Sequence, residues 1–296
     1  MSDNEQKVIK VELVALKVSD LSNSIAFYEE VIGLKVRKRE QDRVFLSADG
    51  VHDILVLRQP ENPVSPPPGA TGLYHNALLL PSRADLADFW IHLENHRQWL
   101  KGASDHSVSE AIYLEDPDGI GIEIYSDRDE VPVESMGTER LQVDDLLQYA
   151  TNTPWERIPE KTVMGHIHLK VKDLEESIAF YRDAIGFKLM MQLGNSAAFM
   201  ATGGYHHHMG LNTWESQGGP TPPEEATGID YALVSVPDQK TLDSIIDRVQ
   251  EVTGVEKSEQ GDHIVKDPSG IVLRFTDMTL DEIFDSAKEH WSEKNK

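Results

Sequence analysis

The chain has 296 residues, with 28 Lys and Arg against 51 Asp and Glu, so its formal net charge at pH 7 is −23. Such a field repels phosphate backbones and anionic lipids, which argues against nucleic acid and membrane surfaces as partners. Cysteine is absent, which excludes disulfides, thiolate metal sites and a cysteine nucleophile and favours a reducing, cytoplasmic location. No run of about 18 apolar residues indicates a membrane span, and the opening "MSDNEQKVIK" lacks the apolar stretch of a signal peptide.

An internal repeat organises the chain, whose length alone indicates about two domains. The segments "VSDLSNSIAFYEEVIGLKV" (18–36) and "VKDLEESIAFYRDAIGFKL" (171–189) share 11 of 19 residues at an offset of 153. Each follows a short apolar strand pattern, and each predicts a helix that an aspartate caps and a glycine ends. We expect Asp20 and Asp173 to be these caps.

A second, weaker repeat lies downstream of the first in each half. The segments "DPDGIGIEIY" (116–125) and "DPSGIVLRFT" (267–276) each indicate a turn that leads into a strand. Together the two repeats divide the chain into four strand–helix–strands units, at about residues 8–60, 72–127, 162–215 and 228–277. A linker at 128–161 carries one predicted short helix, and a helix or tail is expected at 278–296.

Four segments resemble the vicinal oxygen chelate superfamily, and within it the catechol-2,3-dioxygenase branch of type I extradiol ring-cleaving dioxygenases from Gram-positive bacteria. They are "TGLYHNALLLPSRADL", "DHSVSEAIYLEDPDGIGIEIYSDR", "GHIHLKVKDLEESIAFY" and "GGYHHHMGLNTW". The resemblance extends over residues 8–277. It implies an α+β fold of four βαβββ modules, two in an N-terminal half (8–127) and two in a C-terminal half (162–277).

The resemblance also implies a set of metal ligands. In this superfamily a histidine ligand lies on the first strand of a module, five residues before the "VxD" turn, and a carboxylate ligand follows "DPxG". These positions hold His75 and Glu123 in unit two and His166 in unit three. The same positions in units one and four hold residues that cannot replace them: Leu13, Tyr231 and Arg274. We therefore expect one site, built where units two and three pair, with Fe(II) as its metal and Mn(II) as the alternative.

Three adjacent histidines raise a separate question. On an extended strand His206 and His208 would face one way and His207 the other, so the three cannot chelate one ion together. The resemblance aligns His208 with the acid–base histidine of the family, a role that suits an imidazole because its pKa lies near neutrality. It further implies that Tyr113 hydrogen-bonds the bound substrate and that His106 supports the site.

These residues imply an extradiol dioxygenase that inserts O2 next to the diol of a catechol and gives a 2-hydroxymuconate semialdehyde-type product. Its partners would be a small aromatic diol and O2, and a homo-oligomer stays open. A glyoxalase-like isomerase or thiol transferase is one alternative, although such enzymes commonly use four protein ligands and Gly210 stands near the expected fourth, with Glu215 beyond the strand. A non-enzymatic small-molecule binding module is the second alternative. The preferred diol stays open.

Overall fold

The computed structural model describes residues 8–98, 100–128, 131–258 and 262–277. Within these ranges each unit is one strand, one helix and three further strands, so the predicted α+β fold of four βαβββ modules is confirmed. No helix in the described ranges is both long and apolar enough to cross a bilayer. The helix or tail expected at 278–296 lies outside the described residues.

The bounds of the elements follow the chain order. Unit one comprises β1 (Lys10–Lys17), α1 (Leu21–Phe27), β2 (Lys35–Glu40), β3 (Arg43–Ser47) and β4 (Asp53–Arg58). Unit two comprises β5 (Gly72–Leu79), α2 (Arg83–Asn95), β6 (Gly102–Asp105), β7 (Ser109–Glu115) and β8 (Gly121–Asp127). Between the halves lie β9 (Glu139–Arg140) and α3 (Val143–Leu146). Unit three comprises β10 (Val163–Lys170), α4 (Leu174–Ala179), β11 (Lys188–Leu193), β12 (Ala197–Ala201) and β13 (Met209–Asn212). Unit four comprises β14 (Gly228–Ser235), α5 (Gln239–Val252), β15 (Glu256–Lys257), β16 (His263–Lys266) and β17 (Val272–Thr276).

The strands form two large sheets, and each sheet joins modules from different halves of the chain. Antiparallel pairing of β1 with β14 joins units one and four, in the order β15-β16-β17-β14-β1-β4-β3-β2. Antiparallel pairing of β5 with β10 joins units two and three, in the order β11-β12-β13-β10-β5-β8-β7-β6-β9. The expected pairing of units two and three is therefore what the structure shows.

The helices of the first repeat begin and end as their sequences indicate. The Asp20 and Asp173 side chains accept a backbone N–H from three residues further on, at 3.0 and 2.9 Å, and so cap α1 and α4. Each helix continues into a π-helical turn. Gly33 (φ 89°) and Gly186 (φ 107°) end these turns in the left-handed conformation that glycine adopts most readily.

A repeated buried hydrogen bond ties the two sheets together. The Tyr28 hydroxyl, in unit one, donates to Asp116 Oδ2 in unit two at 3.2 Å. The Tyr181 hydroxyl, in unit three, donates to Asp267 Oδ2 in unit four at 3.0 Å. Burial raises the pKa of both aspartates to about 6. Each half of the chain therefore carries the same polar link, at equivalent positions of its repeat.

The raised pKa of Asp267 predicts how stability depends on pH. Because the folded-state pKa of about 6 exceeds the unfolded value of about 4, the folded state binds more protons between these values, and stability falls as pH rises through them. The amide that Asp267→Asn introduces does not titrate in this range. The stability of the variant therefore lacks the fall that Asp267 causes in wild type. We expect urea unfolding to show the variant gaining on the order of 2 kcal/mol over wild type between pH 4 and pH 7.

The matched control for this change is Asp42→Asn, which makes the same chemical change at an exposed position. A difference between Asp267→Asn and wild type that is flat from pH 4 to pH 7 would contradict the assignment.

Candidate metal centre

Three adjacent strands bring the predicted ligands together. Ala77 on β5 lies in register between His166 on β10 and Glu123 on β8. His75 precedes Ala77 by two residues and therefore shares its face of the sheet. Glu123 Oε2 lies 2.9 Å from His75 Nε2 and 3.2 Å from His166 Nε2. All three side chains are buried, and their ligand atoms lie within 4.8 Å of one another.

The electrostatics of the triad fit a bound cation. Burial alone would raise the pKa of Glu123, but the imidazoles of His166 and His75 lower it well below its usual range. Burial lowers the pKa of His166 to about 4, so this imidazole is neutral at pH 7, which is the protonation state in which histidine binds a metal ion. His75 Nε2 is buried and makes no well-aligned hydrogen bond although it is 2.9 Å from the carboxylate. Two imidazoles and one carboxylate that converge in this way are a suitable donor set for a divalent ion.

Tyr113 lies beside the triad, and His106 contacts the hydroxyl of Tyr113. Tyr113 on β7 is in register with Glu123, and its ring centroid is 5.7 Å from that of His75. Its hydroxyl oxygen lies 2.7 Å from His106 Nε2, and His106 Nδ1 lies 3.0 Å from the Gly137 carbonyl oxygen. Burial and the Glu123 charge raise the pKa of Tyr113 well above its ordinary value, so the hydroxyl stays protonated. Among the described residues, Tyr113 is the one that links His106 to the triad.

An aromatic wall, formed by Tyr74, His168, Phe199 and Trp214, borders the opposite side of His75. The His168 ring lies 5.2 Å from Tyr74, 5.7 Å from Phe199 and 5.4 Å from Trp214. Tyr74 and Trp214 are 37% and 48% exposed, whereas His168 is buried and its Nε2 has no hydrogen-bond partner. Sequence reasoning missed Tyr74 and Trp214 as site residues. The one available signal was that Tyr74 precedes His75 and that Trp214 closes the histidine segment.

The prediction that the three histidines lie on an extended strand is wrong. They lie in the irregular segment before Met209, where β13 begins, because the preceding turn contains two glycines with positive φ. The His207 ring, which we expected to point away, contacts the His166 ring at a centroid distance of 4.1 Å. His208 instead lies against Tyr205, at 4.9 Å, and its Nδ1 accepts the Thr202 N–H at 3.4 Å.

The structure also locates the residues that bear on a fourth ligand and on a second site. Glu215 is 67% exposed and lies 3.9 Å from Lys170 Nζ, and in the described residues it does not join the ligand group of the triad. In the other sheet, Leu13 and Tyr231 belong to an apolar cluster, and the Arg274 guanidinium lies 3.8 Å above the Tyr231 ring. Arg274, a cation, therefore stands at the position of unit four that corresponds to Glu123 in unit two.

Tandem βαβββ modules define the vicinal oxygen chelate class of proteins, and here they surround a His–Glu–His triad. The family model described as Glyoxalase/Bleomycin resistance protein/Dioxygenase superfamily matches residues 10–124 and 163–275, and the chain belongs to this family. It is 40% identical over 270 residues, 88% of this chain and 94% of the relative, to catechol-2,3-dioxygenase of Bacillus subtilis (strain 168). The predicted resemblance to that branch is confirmed.

Two solved structures show the same fold at low sequence identity. A putative dioxygenase from Bacillus subtilis subsp. subtilis str. 168 is 13% identical with a TM-score of 0.65, over 95% of this chain and 91% of that one. Glyoxalase I from Zea mays is 17% identical with a TM-score of 0.59, over 95% of each chain. Because a dioxygenase and a glyoxalase both match, the fold does not select between their reactions.

The converging donor set predicts a specific loss of metal. We expect Glu123→Gln to bind a divalent ion at least about tenfold more weakly than wild type, since even residues that only support a ligand contribute that much. Metal content of anaerobically purified protein, measured by elemental analysis, tests this. The control Glu215→Gln makes the same chemical change at an exposed position and should retain the metal. Loss of metal in Glu215→Gln would indicate a fourth ligand and favour a glyoxalase-type site.

Proposed function

We propose that this chain is an extradiol dioxygenase that cleaves a small aromatic diol with O2 at a single Fe(II), with Mn(II) as the alternative ion. The observation that carries the proposal is the three-ligand set of His75, Glu123 and His166, without a fourth carboxylate among the described residues, in a chain 40% identical to a catechol-2,3-dioxygenase. Such an ion would supply adjacent open positions for both reactants and would pass electrons from the bound diol to O2. A cysteine-free composition supports a cytoplasmic location.

The protein groups around the triad would bind and orient the diol. The Tyr113 hydroxyl is held beside Glu123 by His106, and it would contact a substrate oxygen. On the other side, His168 Nε2 is a buried atom without a partner, and a substrate hydroxyl would satisfy it at a site where an unpaired polar group is costly. The exposed faces of Tyr74 and Trp214 would guide an aromatic ring into this cleft.

We further propose that His207, rather than His208, moves the protons. Its ring is in contact with the ligand His166, whereas His208 lies against Tyr205 and has Nδ1 engaged with the backbone. A base must be within hydrogen-bond reach of the hydroxyl that it deprotonates. His207 would take a proton from the diol and later return one to an oxygen of the cleaved ring. Both atoms of O2 would remain in the product, a 2-hydroxymuconate semialdehyde.

The two rival functions are weaker on specific grounds. A glyoxalase-like isomerase or thiol transferase commonly needs a fourth ligand, and Glu215 is 67% exposed and directed to Lys170. A binding module without catalysis would not need three converging ionisable groups, because burying them costs free energy that binding an organic ligand does not recover.

The direct test is turnover. Protein loaded anaerobically with Fe(II) should turn catechol yellow in air and consume one O2 per ring, because ring cleavage beside the diol yields a conjugated semialdehyde. Absorbance and an oxygen electrode measure the two together. The same preparation given a glutathione hemithioacetal should show no conversion. A panel of substituted catechols without product, together with thiol-dependent turnover, would replace the proposal with the isomerase alternative.

The assignment of the acid–base role to His207 predicts unequal kcat values for two histidine variants. His207→Ala should lower kcat by at least about a hundredfold, the usual contribution of general acid–base catalysis, with metal content unchanged. His208→Ala should keep kcat within about threefold, because it removes a packing and backbone contact only. The reverse order of the two kcat values would restore His208 to the acid–base role.

A further inference from the structure

A hydrogen-bonded chain runs from the end of β8 to the triad. Asp127 Oδ1 lies 3.0 Å from His206 Nε2, and His206 Nδ1 lies 2.7 Å from His207 Nδ1. The His207 ring then contacts His166. The other carboxylate oxygen of Asp127 accepts the Tyr205 hydroxyl at 3.0 Å. Two of the three adjacent histidines are therefore linked in series, and an aspartate stands at the far end.

The chemistry of these groups determines where the protons lie. A carboxylate only accepts hydrogen bonds, so His206 Nε2 must carry the hydrogen that bonds Asp127. In neutral His206 the remaining nitrogen, Nδ1, is then an acceptor. The 2.7 Å bond between the two Nδ1 atoms consequently requires the hydrogen on His207 Nδ1. Neutral His207 is thereby left with its lone pair on Nε2.

We propose that Asp127 and His206 are positioning residues that hold His207 in the Nδ1–H tautomer, with Nε2 free to act on the substrate. This inference rests on the proposed function of His207 as the acid–base residue. In the step itself a substrate O–H bond breaks as the Nε2–H bond forms, and the resulting imidazolium keeps its Nδ1–H bond to His206. The proton returns from Nε2 to a substrate-derived oxygen. Asp127, His206 and His207 therefore hold the same number of protons at the end of a cycle as at its start.

Matched variants separate positioning from a merely structural role. Asp127→Leu keeps the size of the side chain but removes the acceptor, whereas Asp127→Asn keeps an amide oxygen for His206 Nε2–H. Tyr205→Phe removes the other hydrogen bond to Asp127 and leaves the bond to His206. We expect Asp127→Leu to lower kcat at least about tenfold with KM within about twofold. Asp127→Asn and Tyr205→Phe should both remain within about threefold of wild-type kcat.

A second readout does not depend on turnover. Histidine nitrogen-15 chemical shifts of the full chain, loaded with diamagnetic Zn(II) and assigned by comparison with His207→Gln, report which nitrogen of His207 carries hydrogen. Wild type and Asp127→Asn should show the Nδ1–H tautomer, and Asp127→Leu a mixture. His206→Phe, which leaves Asp127 in place, should show the same mixture if Asp127→Leu does not fold.

Each outcome bears on the inference. An Nε2–H tautomer of His207 in wild type, or an unchanged tautomer and kcat in Asp127→Leu, would overturn it. If wild type cleaves no catechol while the nitrogen shifts still show the Nδ1–H tautomer that Asp127→Leu loses, the proposed function fails and the positioning chain stands.

Discussion

The antiparallel pairing of β5 with β10 is the interaction on which the rest of the site depends. It places His168 opposite His75 and, two residues along each strand, His166 opposite Ala77. The parallel neighbour β8 then brings Glu123 opposite the same Ala77. Because side chains alternate along a strand, a shift of one residue would turn the histidines of one strand to the opposite face and separate the ligands. The candidate metal centre is thus a consequence of sheet register between modules from different halves of the chain.

Ala77 and two glycines leave space for the side chains of the triad and of His168 in this register. Ala77 stands between His166 and Glu123 and is itself fully buried, so a larger side chain would occupy the space between the two ligands. On either side of the His168–His75 pair the sheet has a glycine: Gly210 is opposite His168, and Gly121 is opposite His75. A Cβ at Gly210 would lie 2.8 Å from the His168 ring, and one at Gly121 would lie 3.0 Å from the His75 Cβ. Small residues therefore flank the imidazoles on both sides.

The fold and the triad could be predicted from the sequence because both follow its internal repeats. The aspartate caps and the helix-ending glycines recur at equivalent positions, and the ligand positions follow from counting along matched strands. The histidine segment could not be predicted in this way. Alternation along a strand applies only where the backbone is extended, and Gly203 (φ 64°) and Gly204 (φ 79°) turn the chain just before it. After that turn the His207 ring contacts His166, whereas the family resemblance assigns the acid–base role to the neighbouring His208.

Gly210 connects the choice of ligands to the choice of reactants. Any side chain at this position would force His168 to move, because a Cβ there would lie 2.8 Å from the His168 ring. Glycine therefore adds no carboxylate to the His–Glu–His triad, and it admits an imidazole with an unpartnered Nε2 beside His75. Open coordination positions alone would admit any small chelating molecule. Combined with the buried, unpartnered His168 Nε2 and the exposed faces of Tyr74 and Trp214, they suit a planar ligand that carries hydroxyl groups, as the proposed function requires.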